Sequence, residues 1–228
     1  MKRLINKLHK SKLLRGIIPT LDYCLQRELS DCESVLDLGC GPSSPLQFCK
    51  NIKYSVGVEA FRPYLEESKN KKIHSEYQEK DIKNVDFPEN SFDAVILIEV
   101  LEHLPEELGN KIIKEAKKWA RKKIIVSSPN GFLPQKALDD NPMQAHLSGW
   151  DLKKMSNMGF KCFGLAGLKC LRQEVQDSSM GDDMTTTIKY RPRFFWFLVA
   201  SISQIFVYSI PSMAFELFSV MKKNESDS

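Results

Sequence analysis

Paired cysteines are missing from this 228-residue chain. Its six cysteines, Cys24, Cys32, Cys40, Cys49, Cys162 and Cys170, include no Cys-x-x-Cys unit. The four histidines are scattered, so no zinc or other metal site is expected. Isolated cysteines of this kind suit a reducing cytosol. The N-terminus lacks an apolar core followed by a small-residue cleavage site, which argues against a secretory signal. It also lacks acids: Lys2, Arg3, Lys7, Lys10, Lys12 and Arg15 supply six positive charges before Asp22, the first acid. The whole chain carries +4, so the remainder sums to −2. The basic character therefore belongs to one end and does not mark a basic nucleic-acid face on the body.

What is present is an alternation of apolar strand patterns and helix patterns. Strands are expected at Ser34–Leu38, Tyr54–Glu59, between His74 and Asp81, at Phe92–Glu99, Lys123–Ser127 and Phe160–Phe163, with a last strand over Phe215–Met221. Helices are expected from Ser44–Cys49, from Pro63–Ser68, from Pro105 to about Ala120, and over Asp151–Met158, with Gly159 closing the last. Near-continuous apolar strands separated by helices imply a doubly wound α/β fold. That fold is a Rossmann-like, seven-stranded, mostly parallel sheet whose last strand is antiparallel. Residues 1–30 form a basic amphipathic helical cap, and 31–228 form the main domain. Residues 173–187 read as a polar loop.

Phe194–Phe215 carries no charge until Glu216. Ser201, Ser203, Gln204, Ser209, Ser212 and Pro211 interrupt the run, which leaves about 194–210 as an apolar helix inserted before the last strand. Three settings remain open for it: buried, touching a membrane, or spanning one.

In open α/β sheets ligands bind beyond the carboxyl ends of the strands. Here those ends carry Asp37-Leu38-Gly39-Cys40-Gly41, Glu59, Asp81 and Glu99. Glycines let a chain turn sharply and let a ligand approach the backbone. Glu59 follows Gly39 by twenty residues, close to the spacing at which an acid meets a ribose diol. Asp81 is placed to accept from an exocyclic amine. Ser44 stands where a dinucleotide fingerprint wants a third glycine, which disfavours a pyrophosphate ligand.

Together, Val35-Leu36-Asp37-Leu38-Gly39-Cys40-Gly41, Val56-Gly57-Val58-Glu59, Ser91-Phe92-Asp93-Ala94-Val95 and Ile98-Glu99-Val100-Leu101-Glu102-His103-Leu104 resemble the class I S-adenosylmethionine-dependent methyltransferases of the small-molecule type. The resemblance covers about residues 34–130. It implies S-adenosylmethionine as cofactor, with the turn from Asp37 through Gly39, Cys40 and Gly41 around its methionine part. Glu59 would hold the ribose and Asp81 the adenine. Ala60, Phe61 and Ile82 would lie against the ring, and Glu99 and Val100 under the sulfonium.

An oxygen acceptor would also need a base. His103, just past the fourth strand, is the first candidate and His146 the second. The polar loop before Trp150 offers Asn141, Gln144 and Trp150 as acceptor-binding groups. The expected function is methyl transfer to oxygen or nitrogen of a small-molecule, glycan or lipid-linked acceptor. The alternative is a non-catalytic cofactor-binding subunit or scaffold. A nucleic-acid methyltransferase fits less well, because Glu99-Val100-Leu101-Glu102 replaces the Asn/Asp-Pro-Pro-aromatic run of base-amino enzymes. No nucleic-acid partner is expected. Residues 1–18 and 194–210 suggest a cytoplasmic protein resting on the inner face of a membrane.

Overall fold

The computed structural model describes residues 19–137, 140–173 and 187–223. The basic N-terminal segment before Pro19 and most of the polar loop at 173–187 lie outside the described residues. Seven strands form one sheet: β1 Ser34–Leu38, β2 Tyr54–Glu59, β3 Glu76–Glu79, β4 Phe92–Ile98, β5 Ala120–Pro129, β6 Lys161–Leu168 and β7 Ala214–Lys222. Their order is β3-β2-β1-β4-β5-β7-β6. The strands from β3 across to β5 pair in parallel, and β7 runs antiparallel to both its neighbours. This is the expected Rossmann-like sheet with its antiparallel last strand.

Among the described residues, five α-helices accompany it: α1 Leu21–Glu28, α2 Arg62–Lys71, α3 Glu106–Trp119, α4 Leu152–Asn157 and α5 Arg193–Val207. On one face Ile112, Ile113, Ala116 and Trp119 of α3 and Met155 of α4 close over Leu36, Val95 and Val126. On the other, Cys24 and Leu25 of α1 cover Val35, Ala94, Ile96 and Ile125. Strands buried on both sides explain the unbroken apolar runs.

The expected helix from Ser44 does not form. Pro45–Phe48 is a single 3-10 turn, and Cys49 is already extended. The reason is that α1 occupies the face such a helix would cover. The Asn51 side-chain amide donates to the Leu29 and Cys32 carbonyls at 2.6 Å each, locking the end of α1 against this connection.

α5 is neither wholly buried nor a span. No helix among the described residues is long and apolar enough to cross a membrane. One side lies directly on β6, where Gly164 and Gly167 leave room for the Val207 and Ala200 carbonyls. The polar residues that interrupt the apolar run do the pinning. Gln204 donates to the Gly164 carbonyl at 3.0 Å and accepts from the Gly167 amide at 2.8 Å. Ser203 accepts from the Leu168 amide at 3.0 Å. The other side leaves Phe195, Ile202 and Phe206 54%, 59% and 67% exposed.

A methyl group at Gly164 would meet both the Val207 carbonyl and Ala214. Gly164→Ala is expected to destabilise the fold by about 1–3 kcal/mol, the usual cost of overpacking. Urea denaturation followed by tryptophan fluorescence checks this.

Candidate functional site

β1 ends at Leu38 and the chain reverses through Gly39 and Gly41, at φ +69° and +56°. A side chain at Gly39 would strike Val100, whereas the space beside Gly41 is open. The Gly39 and Cys40 amides donate to the Val58 carbonyl at 2.8 and 3.0 Å, which ties the turn to the end of β2.

Two carboxyl groups hold this loop from behind. Asp37 is fully buried and accepts from the Ser44 hydroxyl at 2.5 Å. Ser44 in turn caps the following turn by accepting from the Leu46 amide at 3.2 Å. Glu59 accepts from the Gly41 amide at 3.0 Å and from the Phe61 amide at 2.8 Å. Burial raises the Glu59 carboxyl, and the backbone amides of Phe61, Gly41 and Ala60 oppose that rise. A carboxylate has about four lone-pair sites, so these amides leave capacity for a diol.

Clefts that take a small ligand measure about 300–1,000 Å³. Those found here measure about 470 and 300 Å³ and share Gly39, Glu59, Glu99 and Gln144 on their walls. The larger runs from Ala60, Asp81 and Ile82 at one end to Val100 and His103 at the other. Asp81 caps the short turn Ile82–Asn84 by accepting from the Lys83 amide at 3.0 Å. It also pairs with the Lys83 ammonium at 2.8 Å.

At the far end Glu99 adopts φ +54°, a left-handed conformation that is costly for a residue with a side chain. Its carboxyl accepts from the Ser127 hydroxyl at 2.5 Å and is hydrogen bonded to that of Glu102. Burial first, then the neighbouring Glu102 and Glu216 charges, raise Glu99 well above the usual carboxylate range. The His103 and His146 rings meet edge to face with centroids 4.9 Å apart. Burial and the adjacent His146 push His103 down to about 4. Burial lowers His146 as well.

The structure thus gathers most of the residues expected from the sequence, with four adjustments. Trp150 is completely buried and packs on Gly109, its indole donating to Ser148 at 2.9 Å, so it braces the loop and offers no surface to an acceptor. Asp37 turns inward to Ser44 and acts through the loop. Cys40 presents backbone, because its thiol is buried against Gly57. Phe61 contributes its amide, while its ring stands edge-on to Tyr64 at 5.0 Å. Asn141 and Gln144 do line the larger cavity. Sequence reasoning missed Ser127, Met143, Leu147 and His74. Only Ser127, at the end of a strand, carried a signal that would have found it.

An acid-lined pocket fed by a glycine turn suits S-adenosylmethionine, the cofactor of class I methyltransferases. The residues fit that cofactor: the open side of Gly41 and the paired amides on Glu59 leave space and lone pairs where a methionine and a ribose belong. Residues 36–126 match the family model described as a methyltransferase domain. The chain is 30% identical over 110 residues to cycloartenol-C-24-methyltransferase of Arabidopsis thaliana. That match takes in 44% of this chain and spans a third of the plant enzyme, 33% of its length. Among solved structures, a SAM-dependent methyltransferase of Archaeoglobus fulgidus superposes with TM-score 0.53 at 17% identity, over 92% of this chain and 98% of that one. The plantazolicin methyltransferase BpumL, in complex with SAH, gives 0.54 at 9% identity, over 98% and 90%. These structural likenesses establish the fold.

Behind the loop, His74 Nε2 lies 3.5 Å from Asp37 with both side chains buried. Burial pushes Asp37 up to about 7 and His74 down to about 4. Their contributions to stability run in opposite directions. Folded Asp37 keeps a proton that the unfolded chain releases, so its share falls as pH rises from about 4 to about 7. Folded His74 stays neutral where the unfolded chain is protonated, so its share rises between about 4 and about 6.5. Single substitutions separate the two. Relative to the unsubstituted protein, Asp37→Asn should gain stability from about pH 4.5 to 6.5 and His74→Gln should lose it, each by up to about 1.4 kcal/mol per pH unit. Urea midpoints across that range check both signs.

Proposed function

We propose that the chain transfers a methyl group from S-adenosylmethionine to a hydroxyl of a small hydrophobic or lipid-linked acceptor. The observation that carries this reading is one cavity joining Gly39, Glu59 and Asp81 to Glu99 and His103. When bound, the cofactor supplies a methyl carbon already activated by a positively charged sulfur.

The chain's own residues then position and deprotonate. Glu59 holds the diol through the lone-pair capacity its amide bonds leave. Asp81 and Ile82 receive the base. Val100, pressed against Gly39, sets the floor beneath the reacting end. His103 is the group placed to take the acceptor proton, since burial keeps its imidazole neutral at physiological pH. His146 stands behind it, and Asn141 and Gln144 offer hydrogen bonds to the acceptor. Much of the rate comes from alignment and from exclusion of water.

The outer face of α5 supports a hydrophobic acceptor. Phe195, Leu198, Ile202 and Phe206 form an exposed stripe, and Lys189, Arg191 and Arg193 stand at the start of that helix. Such a face suits the surface of an anionic membrane. It would place the protein at the inner face of that membrane, with the basic segment 1–18 as a second contact.

Two measurements test the reading. In a screen of hydroxylated acceptors scored by S-adenosylhomocysteine release, His103→Ala should lower kcat by about 100-fold or more while KM for the cofactor stays within about twofold. In flotation with phosphatidylglycerol vesicles, Ile202→Glu with Phe206→Glu should abolish vesicle binding without loss of cofactor binding.

A further inference from the structure

Glu102, His103 and His146 meet beside the larger cavity, which His103 lines. They are contributed by the turn after β4 and by the loop before Trp150. Each offers one ligand-capable atom, and those atoms lie within 4.8 Å of one another. Glu102 is buried and His103 lines the cavity.

Both imidazoles are held in one tautomer. His103 Nδ1 is 3.3 Å from the Ala145 carbonyl and His146 Nδ1 is 2.7 Å from the Leu133 carbonyl. A carbonyl oxygen only accepts, so Nδ1 carries the proton in each ring. Nε2 of each keeps its lone pair. A backbone carbonyl on one ring nitrogen is the usual outer support of a metal-ligating histidine. The loop is itself fixed, because the Leu147 and Ser148 amides donate to the Glu102 carbonyl at 2.7 and 3.1 Å. The second carboxyl, Glu99, is hydrogen bonded to Glu102 and held in its left-handed conformation by Ser127.

We infer that Glu102, His103 and His146, with Glu99 beside them, bind a divalent first-row transition cation that ligates the acceptor hydroxyl. Two imidazoles with carboxylates suit zinc, manganese or iron better than calcium or magnesium, which prefer all-oxygen shells. Donors on one such ion lie at most about 4.2 Å apart, twice a metal–nitrogen bond of about 2.1 Å. Closure from the widest present spacing, 4.8 Å, therefore needs a shift of about 0.6 Å for a pair opposite across the ion and more for an adjacent pair. With the cation in place the imidazoles serve as ligands and no longer as proton acceptors. The bound hydroxyl loses its proton to water, because the cation lowers its pKa. The oxygen lone pair then forms the new bond to the methyl carbon as the sulfur–carbon bond breaks with its electron pair on sulfur. Placing the acceptor here rests on the proposed function; binding of the cation does not.

The test uses the full chain stripped with chelator and titrated with Mn²⁺ by calorimetry and electron paramagnetic resonance. One equivalent is expected to bind at micromolar concentration, with nitrogen couplings from two imidazoles in pulsed spectra. His103→Ala and Glu102→Gln should each weaken binding at least about tenfold. His146→Gln, whose amide can keep the bond to Leu133, should do the same with the melting temperature held, which separates ligation from folding. S-adenosylhomocysteine binding, measured on the same samples, should be unchanged. The inference is overturned if neither Mn²⁺ nor Zn²⁺ binds, or if the variants bind as the unsubstituted protein does. Cation binding with these dependencies but no turnover of any hydroxylated acceptor would uphold the site and overturn the proposed acceptor.

Discussion

The glycine turn keeps its shape because two buried carboxyl groups accept hydrogen bonds from it. Gly39 and Gly41 are both left-handed, a conformation with little intrinsic preference for any one arrangement of the loop. Asp37 fixes the far side through the Ser44 hydroxyl, and Glu59 fixes the near side through the Gly41 amide. Both acids are taken out of water for this purpose, which is costly unless their oxygens are satisfied. The Glu59 carboxylate is satisfied on one side by the loop and retains capacity on the other. The same hydrogen bonds that build the turn therefore aim the carboxyl proposed to hold the ribose. Ser44, which departs from a dinucleotide fingerprint, is the residue that makes the inner latch possible.

The two ends of the cavity differ in character. Around Glu59 and Asp81 the chain presents oriented carboxylates on backbone caps, as suits recognition. Around Glu99 it presents carboxyls in contact, a left-handed residue and two neutral imidazoles. Features of that second kind store strain and electrostatic conflict, and they are retained where chemistry takes place. On the opposite flank, α5 stays on β6 through Ser203 and Gln204 while its apolar residues face outward. One helix thus buries Phe197, Ala200 and Val207 beside its polar anchors and still displays a hydrophobic stripe outward.

Much of this was legible in the sequence because it is local. Strand ends at Leu38, Glu59 and Ile98 follow from apolar runs, and the glycines and acids that matter lie immediately beyond them. Gly159 closes α4 as its position suggested. Long-range packing was not legible. Nothing between Ser44 and Cys49 shows that α1 already fills the place of a crossover helix. Trp150 sits in a polar loop, yet it is drawn into the core by the gap beside Gly109, an interaction across forty-one positions. His103 and His146 are forty-three positions apart, so a search for metal spacing along the chain passes over a pair that the fold sets face to edge. The polar residues of α5 read as interruptions of an apolar run, and only the strand beneath them shows that they are its attachment points.

The central claim is that Glu59 and the glycine turn form an S-adenosylmethionine cradle. Calorimetry with S-adenosylhomocysteine tests it most directly, because the product needs no acceptor. The account predicts one-to-one binding that Glu59→Ala weakens by about 100-fold or more, the loss of charged hydrogen bonds worth about 3 kcal/mol. Absence of binding in the unsubstituted protein, or affinity indifferent to Glu59, would contradict it.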